Sequence, residues 1–175
     1  MISIKKKRKG RGWTVWLAAG AVPELLKLPA RLREVLKKPD FADTVVARLF
    51  PPAYGKDPQA EAEYQHLLRE DLLQRKLKGV ESFERTLERR QEVKLLLGPP
   101  LVQVDLAEED LSLWLGFFHD MRLLIGTRLD ITDESWERRI DPRDPDAEEL
   151  ILLHGLAYLE EAIVEALRGS EKLGP

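Results

Sequence analysis

The most hydrophobic stretch of the chain runs from Leu111 to Ile131, where apolar side chains recur at steps of three and four residues. That spacing is typical of a helix, and here the apolar surface covers most of the helix circumference. Such a helix has to be covered by other elements, so the pattern predicts a central helix over 105–129. Its predicted core positions are Leu111, Leu113, Trp114, Phe117, Phe118, Met121, Leu124, Ile125 and Leu129.

Local start and stop signals mark two of the predicted helices. Asp105, with Glu108 three residues later, predicts a capping box at the start of the central helix. Asp144-Pro145 predicts the start of a C-terminal helix over 145–168, because proline suits the first helical position. Gly169 is placed to end that helix. Its main apolar face is expected to comprise Leu152, Leu156, Leu159, Ile163 and Leu167.

A second Asp-Pro pair, Asp57-Pro58, predicts the start of a long or kinked helix over 57–92. Drawn straight, this helix would measure about 50 Å, which is longer than a compact domain of this size is wide. Two solutions follow from that length. Either the helix bends near Gly79, or its second half projects and pairs with a partner chain.

Shorter elements are predicted on the N-terminal side. Two short runs of alternating apolar residues flank a glycine-bearing turn, which predicts a β-hairpin over 1–18. Short helices over 22–50 follow, with an interruption at Pro29. The later β-prone run Leu101–Val104 could add a third strand to the hairpin.

Length and composition fit one globular domain over 1–175. A chain of 175 residues with 43% hydrophobic and 34% charged residues can bury a real core and is short for two domains. The predicted fold class is therefore mainly α, with a helical bundle around a central apolar helix and a small N-terminal β-hairpin.

The absence of cysteine excludes structural disulfides, thiol catalysis and thiolate metal sites. No apolar run reaches the roughly 20 residues of a membrane span, and the basic start is not followed by a signal-peptide pattern. These features predict a cytoplasmic protein without a membrane partner.

Positive charge is concentrated near the N-terminus. The whole chain carries −3 and six clustered residues carry +6, so the remainder carries −9. One interpretation is a contact with nucleic acid or another polyanion. In that interpretation, Trp13 and Trp16 could stack on bases. The other is a solvated turn that protects a sheet edge, which the acidity of the rest favours. The six residues are Lys5, Lys6, Lys7, Arg8, Lys9 and Arg11.

Few residues point to catalysis. His66, His119 and His154 lie on three different predicted helices without metal-ligand spacing, and the common nucleotide-binding and hydrolase motifs are missing. The sequence therefore predicts no metal, no cofactor and no catalytic residue.

The central helix nevertheless carries a candidate buried polar cluster, comprising His119, Asp120, Arg122 and Arg128. It could be an unrecognised enzyme site, because burial shifts pKa values. Internal ion pairs that fix the helix register are the favoured interpretation, since an unpaired buried charge is costly. In that case Asp120 needs a charge partner, and an arginine from another segment is one candidate.

Two segments carry a family resemblance. RLFPPAYGKDPQAEAEYQHLLREDLL (Arg48–Leu73) and WLGFFHDMRLLIGTRLDIT (Trp114–Thr132), followed by an acidic terminal helix, resemble the bacterial domain-of-unknown-function family numbered 2017. The similarity extends from about Arg48 to Leu167 and is most specific around Asp120 to Leu129. It implies relatives described as uncharacterised or as transcriptional regulators, with genes often beside that of a Clp protease adaptor. A cysteine-based redox mechanism does not carry over to this chain.

These observations together predict a non-enzymatic cytoplasmic regulatory or protein-interaction protein. The alternatives are a nucleic-acid-binding transcriptional regulator that uses the basic hairpin, and an enzyme with a polar site on the central helix. A further possibility is self-association through the charged helix segment Glu81–Glu92.

Overall fold

The structure, a computed structural model, describes residues 2–7, 11–52, 57–132, 136 and 143–171. As predicted, the fold is mainly α-helical. None of the helices in these ranges combines the length and hydrophobicity that a membrane span requires. A 3-10 turn (Ala19–Ala21) precedes the first helix. In chain order the elements are β1 (Ile2–Lys6), β2 (Trp13–Ala18), α1 (Val22–Leu25), α2 (Leu28–Lys37), α3 (Thr44–Leu49), α4 (Pro58–Glu88), β3 (Gln91–Val93), β4 (Leu101–Leu106), α5 (Glu108–Arg128) and α6 (Ala147–Glu171).

The strands form one four-stranded antiparallel sheet in the order β1-β2-β4-β3. The expected third strand is β4, which pairs along the whole length of β2. Residues 91 and 92, assigned by sequence to the long helix, instead belong to the edge strand β3, which pairs with residues 101–103 of β4. That pairing satisfies backbone groups through partners that lie eight to twelve residues away in sequence, and helical periodicity does not reveal such partners.

Helix α5 contributes several of the fully buried side chains of the core. The predicted positions Leu111, Trp114, Phe118, Met121 and Ile125 are all fully buried. The helix packs against α4 and α6, and more narrowly against α2 and α3. The predicted apolar stripe is therefore confirmed at these positions.

The start of α5 differs from the sequence expectation. The N-cap is Ala107, and the Asp110 carboxylate accepts a hydrogen bond from the Ala107 N–H at 3.0 Å. Asp105 belongs to β4 instead, and its carboxylate accepts a hydrogen bond from the Thr14 hydroxyl at 2.9 Å. Asp105 and Glu108 therefore do not form the predicted capping box, because strand pairing with β2 continues to Leu106.

Helix α4 is a single element of 31 residues that continues through Gly79. Its second half packs in the core, where Val80, Phe83 and Leu87 are fully buried. The Phe83 ring stacks on Phe117 with a centroid distance of 4.4 Å. A projecting second half is therefore wrong, because its apolar face is covered by α5.

The predicted interruption near Pro29 is present: the helical run breaks at residues 26–27, between α1 and α2, and Pro29 lies in the first turn of α2. Two helix boundaries differ from the prediction. Gly169 does not end α6, which continues to Glu171. Helix α6 begins at Ala147, two residues later than predicted, and Asp144 lies in the preceding turn, where its side chain accepts a hydrogen bond from the Asp146 N–H at 2.9 Å.

Candidate functional site

The four polar residues predicted to form a cluster on α5 are divided among separate surroundings. Asp120 faces α4, while His119 and Arg122 both contact Glu160 of α6. Arg128 is exposed at the end of the helix and has no ion-pair partner among the described residues. A single polar cluster is therefore wrong, because these positions project in different directions around the helix.

Asp120 and Lys76 form the most buried ion pair of the described structure. The Lys76 Nζ lies 2.6 Å from the Asp120 carboxylate, and the two side chains are 11% and 6% exposed. Burial raises the pKa of Asp120 above its ordinary value, although the Lys76 ammonium opposes that effect. The expected partner from another segment is thus present, but it is a lysine of α4 and not an arginine.

A groove of about 620 Å³ between α4 and α5 lies beside this pair. Its polar lining includes Arg75, Lys78, Ser112 and His119. Lys76 and Asp120 pair with each other at the wall of this groove. The pair is suited to fixing the register of α4 against α5, because a shift of either helix would leave a buried charge without its partner.

His119 and Arg122 form a second, more exposed contact between α5 and α6. The Glu160 carboxylate accepts a hydrogen bond from Arg122 and lies 3.2 Å from the His119 Nδ1. Glu160 is only 16% exposed, whereas His119 is 58% exposed. This three-residue contact connects α5 to α6.

The described part of the basic N-terminal segment is partly neutralised by acidic residues. Lys6 lies 3.2 Å from Glu108, and Lys7 lies 3.2 Å from Asp105. Burial raises the pKa of Asp105, but hydrogen bonds from Thr14 and Lys7 outweigh it and hold that pKa below its ordinary value.

The other basic and aromatic candidates differ in access. Lys5 and Arg11 are exposed, whereas Arg8 and Lys9 lie outside the described residues. Trp13 is 2% exposed and belongs to the core, so it is not available for base stacking. Trp16 is half-buried, with the Lys5 ammonium 5.8 Å from its ring centroid.

A larger apolar surface lies where α6 crosses the sheet edge. Here α6, β1, β2 and α1 enclose a groove of about 520 Å³, which we call the apolar groove. Ile151 and Tyr158 on its α6 wall are 58% and 54% exposed. Its apolar lining is formed by Ile2, Leu17, Leu25, Ile151, Leu152, Leu156, Tyr158 and Leu159.

Carboxylates surround the apolar groove. Glu149 accepts two hydrogen bonds from the Arg31 guanidinium, at 3.0 and 2.7 Å, and Glu24 pairs with Lys27 at 2.6 Å. Glu148 is exposed and has no such partner among the described residues. The rim therefore carries three carboxylates, of which Glu148 alone has no basic partner among the described residues, around an apolar floor.

The orientation of α6 explains why sequence analysis did not find this groove. Of the expected face, Leu156 and Ile163 are fully buried, and the other members pack partly buried against the core. In the N-terminal half burial extends to Leu150 and Leu153, which lie outside that face. Ile151, Gly155 and Tyr158 then form a second stripe at helical spacing. The sequence feature that could have indicated the groove is the presence of two adjacent apolar stripes on this helix.

Gly155 also widens the groove. A Cβ atom built at Gly155 has no neighbour within 4 Å, so the position opens onto empty space. A larger side chain there would enter the groove without displacing the core.

A second exposed apolar feature follows β3. Leu96 and Leu97 are 104% and 92% exposed, and Leu95 is 46% exposed. We call Leu95–Leu97 the leucine tip. It precedes Gly98, whose φ of +116° is a conformation that glycine adopts readily.

Within the described ranges, no group of three or more His, Cys, Asp or Glu side chains has the arrangement of a metal site. The model of one protein family, described as a domain of unknown function (DUF2017), matches residues 1–167. No curated protein and no solved structure matches the chain. The family description carries no activity, so the function has to be argued from the surfaces above.

Proposed function

The chain belongs to the DUF2017 family, a domain of unknown function, and we propose that it is a non-enzymatic regulatory or protein-interaction protein of the cytoplasm. The apolar groove is its docking site. The observation that carries this proposal is the pair Ile151 and Tyr158, which remain more than half exposed on a helix that buries Leu150, Leu153 and Leu156. Contiguous exposed apolar surface with a polar rim is characteristic of interaction sites.

The dimensions and charge of the groove define its partner. A volume of about 520 Å³ lies within the range of clefts that enclose a ligand or a few side chains. The acidic rim, with Glu148 exposed, favours a segment that carries Lys or Arg beside its apolar residues. The proposed partner is therefore a short apolar segment of a protein with basic flanking residues.

The two alternatives have less support. Nucleic-acid binding would require Lys6 and Lys7 to exchange Glu108 and Asp105 for phosphates, on a chain whose remainder carries strong negative charge. Catalysis at Asp120 would require a group that already has Lys76 as its partner at 2.6 Å.

A peptide-display selection on the intact chain tests the proposal. Random peptides are selected on the immobilised protein, and the recovered sequences are compared with the starting pool. We expect enrichment of two or more large apolar residues with Lys or Arg beside them, since these residues match the groove and its rim.

Two leucine substitutions on α6 make this selection specific for the groove. Gly155→Leu places a side chain in the groove, whereas Gly169→Leu adds the same side chain to the same helix outside it. Both positions have open space at the Cβ, so both variants should fold. Selected peptides should lose binding to Gly155→Leu and keep binding to Gly169→Leu. Peptides that bind both variants equally, or a selection without enrichment, would refute the proposal.

A further inference from the structure

We propose that the leucine tip of one copy of this chain docks in the apolar groove of a second copy, and that two such contacts form a symmetric dimer. The inference rests on the proposed function of the groove and names one partner for it. The same chain thus carries both the exposed apolar tip and an apolar recess with no described residue filling it.

The leucine tip is suited to insertion. Leu96 and Leu97 have almost no contact with the rest of the described structure, since they are 104% and 92% exposed. Gly98 turns the chain directly after them, and Pro99 and Pro100 restrict the following backbone. A tip held by such a turn loses less conformational freedom on docking than a flexible loop does.

Charge complements the fit. Lys94 precedes the leucine tip and is exposed, with no ion-pair partner among the described residues. The groove presents Glu148, which is also exposed and without such a partner. Docking of the tip would bring a basic flank to an acidic rim, which matches the partner chemistry argued above.

The sheet places both features at one end of the strands. Ile2 of β1 pairs with Leu17, and Ala18 of β2 pairs with Leu101, which in turn pairs with Val93 of β3. The groove includes Ile2 and Leu17, while the leucine tip follows Val93 on the opposite edge strand. Three strand spacings, or about 14 Å, separate these edges.

Two surfaces at the same end and on opposite edges permit a reciprocal contact. A two-fold rotation that brings these ends together exchanges the two edges, so each tip meets the partner's groove. Such an interface closes on itself, and growth stops at the dimer. We expect a weak dimer with a Kd on the order of 10 µM, because two loop tips bury less area than a standard interface.

The solution mass of the full-length chain, measured by sedimentation over a wide concentration range, tests the association. The wild-type chain should change from monomer to dimer and form no larger species. Leu96→Asp with Leu97→Asp removes the tip, and Gly155→Leu fills the groove. Each variant alone should remain monomeric and keep the wild-type near-ultraviolet circular dichroism, since all three positions lie at exposed sites.

A mixture of the two variants tests directly whether the leucine tip of one chain docks in the apolar groove of another. In the mixture, the intact tip of the Gly155→Leu chain can dock in the intact groove of the Asp variant. A one-to-one dimer should therefore appear, with an affinity at least about tenfold weaker than that of the wild type because one of two contacts remains. A mixture that stays monomeric while the wild type dimerises would overturn the inference.

A labelled peptide with the sequence of residues 94–100, KLLLGPP, separates failure of this inference from failure of the proposed function. If the peptide binds the groove and the wild-type chain remains monomeric, the groove is an interaction site for another partner and self-association is refuted. If neither the peptide nor any selected peptide binds, the proposed function is refuted as well. Dimerisation that persists in both variants would refute the reciprocal contact by itself.

Discussion

Removal of one member of the Lys76–Asp120 pair should destabilise the fold far more than removal of both. Lys76→Met leaves the Asp120 carboxylate only 6% exposed and without its charge partner. A buried charge that loses its partner costs about 3–5 kcal/mol, because neither water nor a counter-ion replaces the lost interaction. We therefore expect Lys76→Met to lower the free energy of unfolding by about 4 kcal/mol at neutral pH.

The two single variants should lower the free energy of unfolding by different amounts. Asp120→Leu leaves the Lys76 ammonium, whose flexible side chain lines the groove between α4 and α5 and can turn towards water. Its cost should be about 2 kcal/mol. The double variant replaces both charges with apolar groups of similar size and should lie within about 1 kcal/mol of the wild type.

Urea unfolding of the four proteins measures these free energies in one thermodynamic cycle. Thermal melting gives a second measure, since about 1 kcal/mol corresponds to roughly 2–4 °C in a chain of this length. The predicted coupling free energy is several kcal/mol. Single losses that simply add in the double variant, or equal losses in all three variants, would show that the pair does not act as a unit.

Three smaller predictions concern pH and glycine. Because the raised pKa of Asp120 means that the folded state binds its proton more tightly, stability from this group is present below the unfolded pKa and lost as pH rises through the folded pKa. Asp120→Asn should reduce that downward slope in urea unfolding, and an unchanged slope would contradict the assignment. Gly12→Ala should cost about 3 kcal/mol, since φ is +132° and the new Cβ would lie 2.3 Å from the Leu106 carbonyl oxygen; a wild-type melting temperature would contradict this. Gly79→Ala should destabilise the fold by about 1 kcal/mol, because its Cβ would lie 3.3 Å from the Leu113 carbonyl oxygen. Gly116→Ala has open space at the Cβ and should stabilise the fold by up to about 1 kcal/mol. Equal shifts in melting temperature for the two variants would contradict this difference.

The parts of the fold that follow from local sequence were predictable. Helical spacing identifies Trp114 and Phe118 as core positions, and both are fully buried. The Asp57-Pro58 pair marks the start of α4, where the Asp57 carboxylate accepts a hydrogen bond from the Gln59 N–H at 3.1 Å. These features depend on residues within one or two helical turns, so local sequence patterns are sufficient to predict them.

Pairing between distant segments was less predictable. Strand β3 is only three residues long, and its partner β4 begins after the leucine tip. Asp120 was identified as a buried charge, yet nothing local distinguishes Lys76 as its partner 44 residues away. Sequence periodicity gives the face of a helix, but the identity of what covers that face depends on the assembled fold.

The apolar groove depends on an even finer detail, the rotation of α6 about its axis. Burial of Leu150 and Leu153 leaves Ile151 and Tyr158 exposed, and a rotation of roughly 120° would exchange the two pairs. Hydrophobic spacing alone allows both orientations, because apolar residues occupy both stripes. The contact of α6 with β1 decides between them.

The affinity of a selected peptide for the wild-type chain, Gly155→Leu and Gly169→Leu tests the central claim most directly. Fluorescence anisotropy with one labelled peptide measures all three under the same conditions. If the apolar groove is the docking site, the wild type and Gly169→Leu should bind equally, and Gly155→Leu should bind at least about tenfold more weakly, a difference of 1.4 kcal/mol or more. Equal binding by all three proteins would show that the peptide docks elsewhere and would contradict the account.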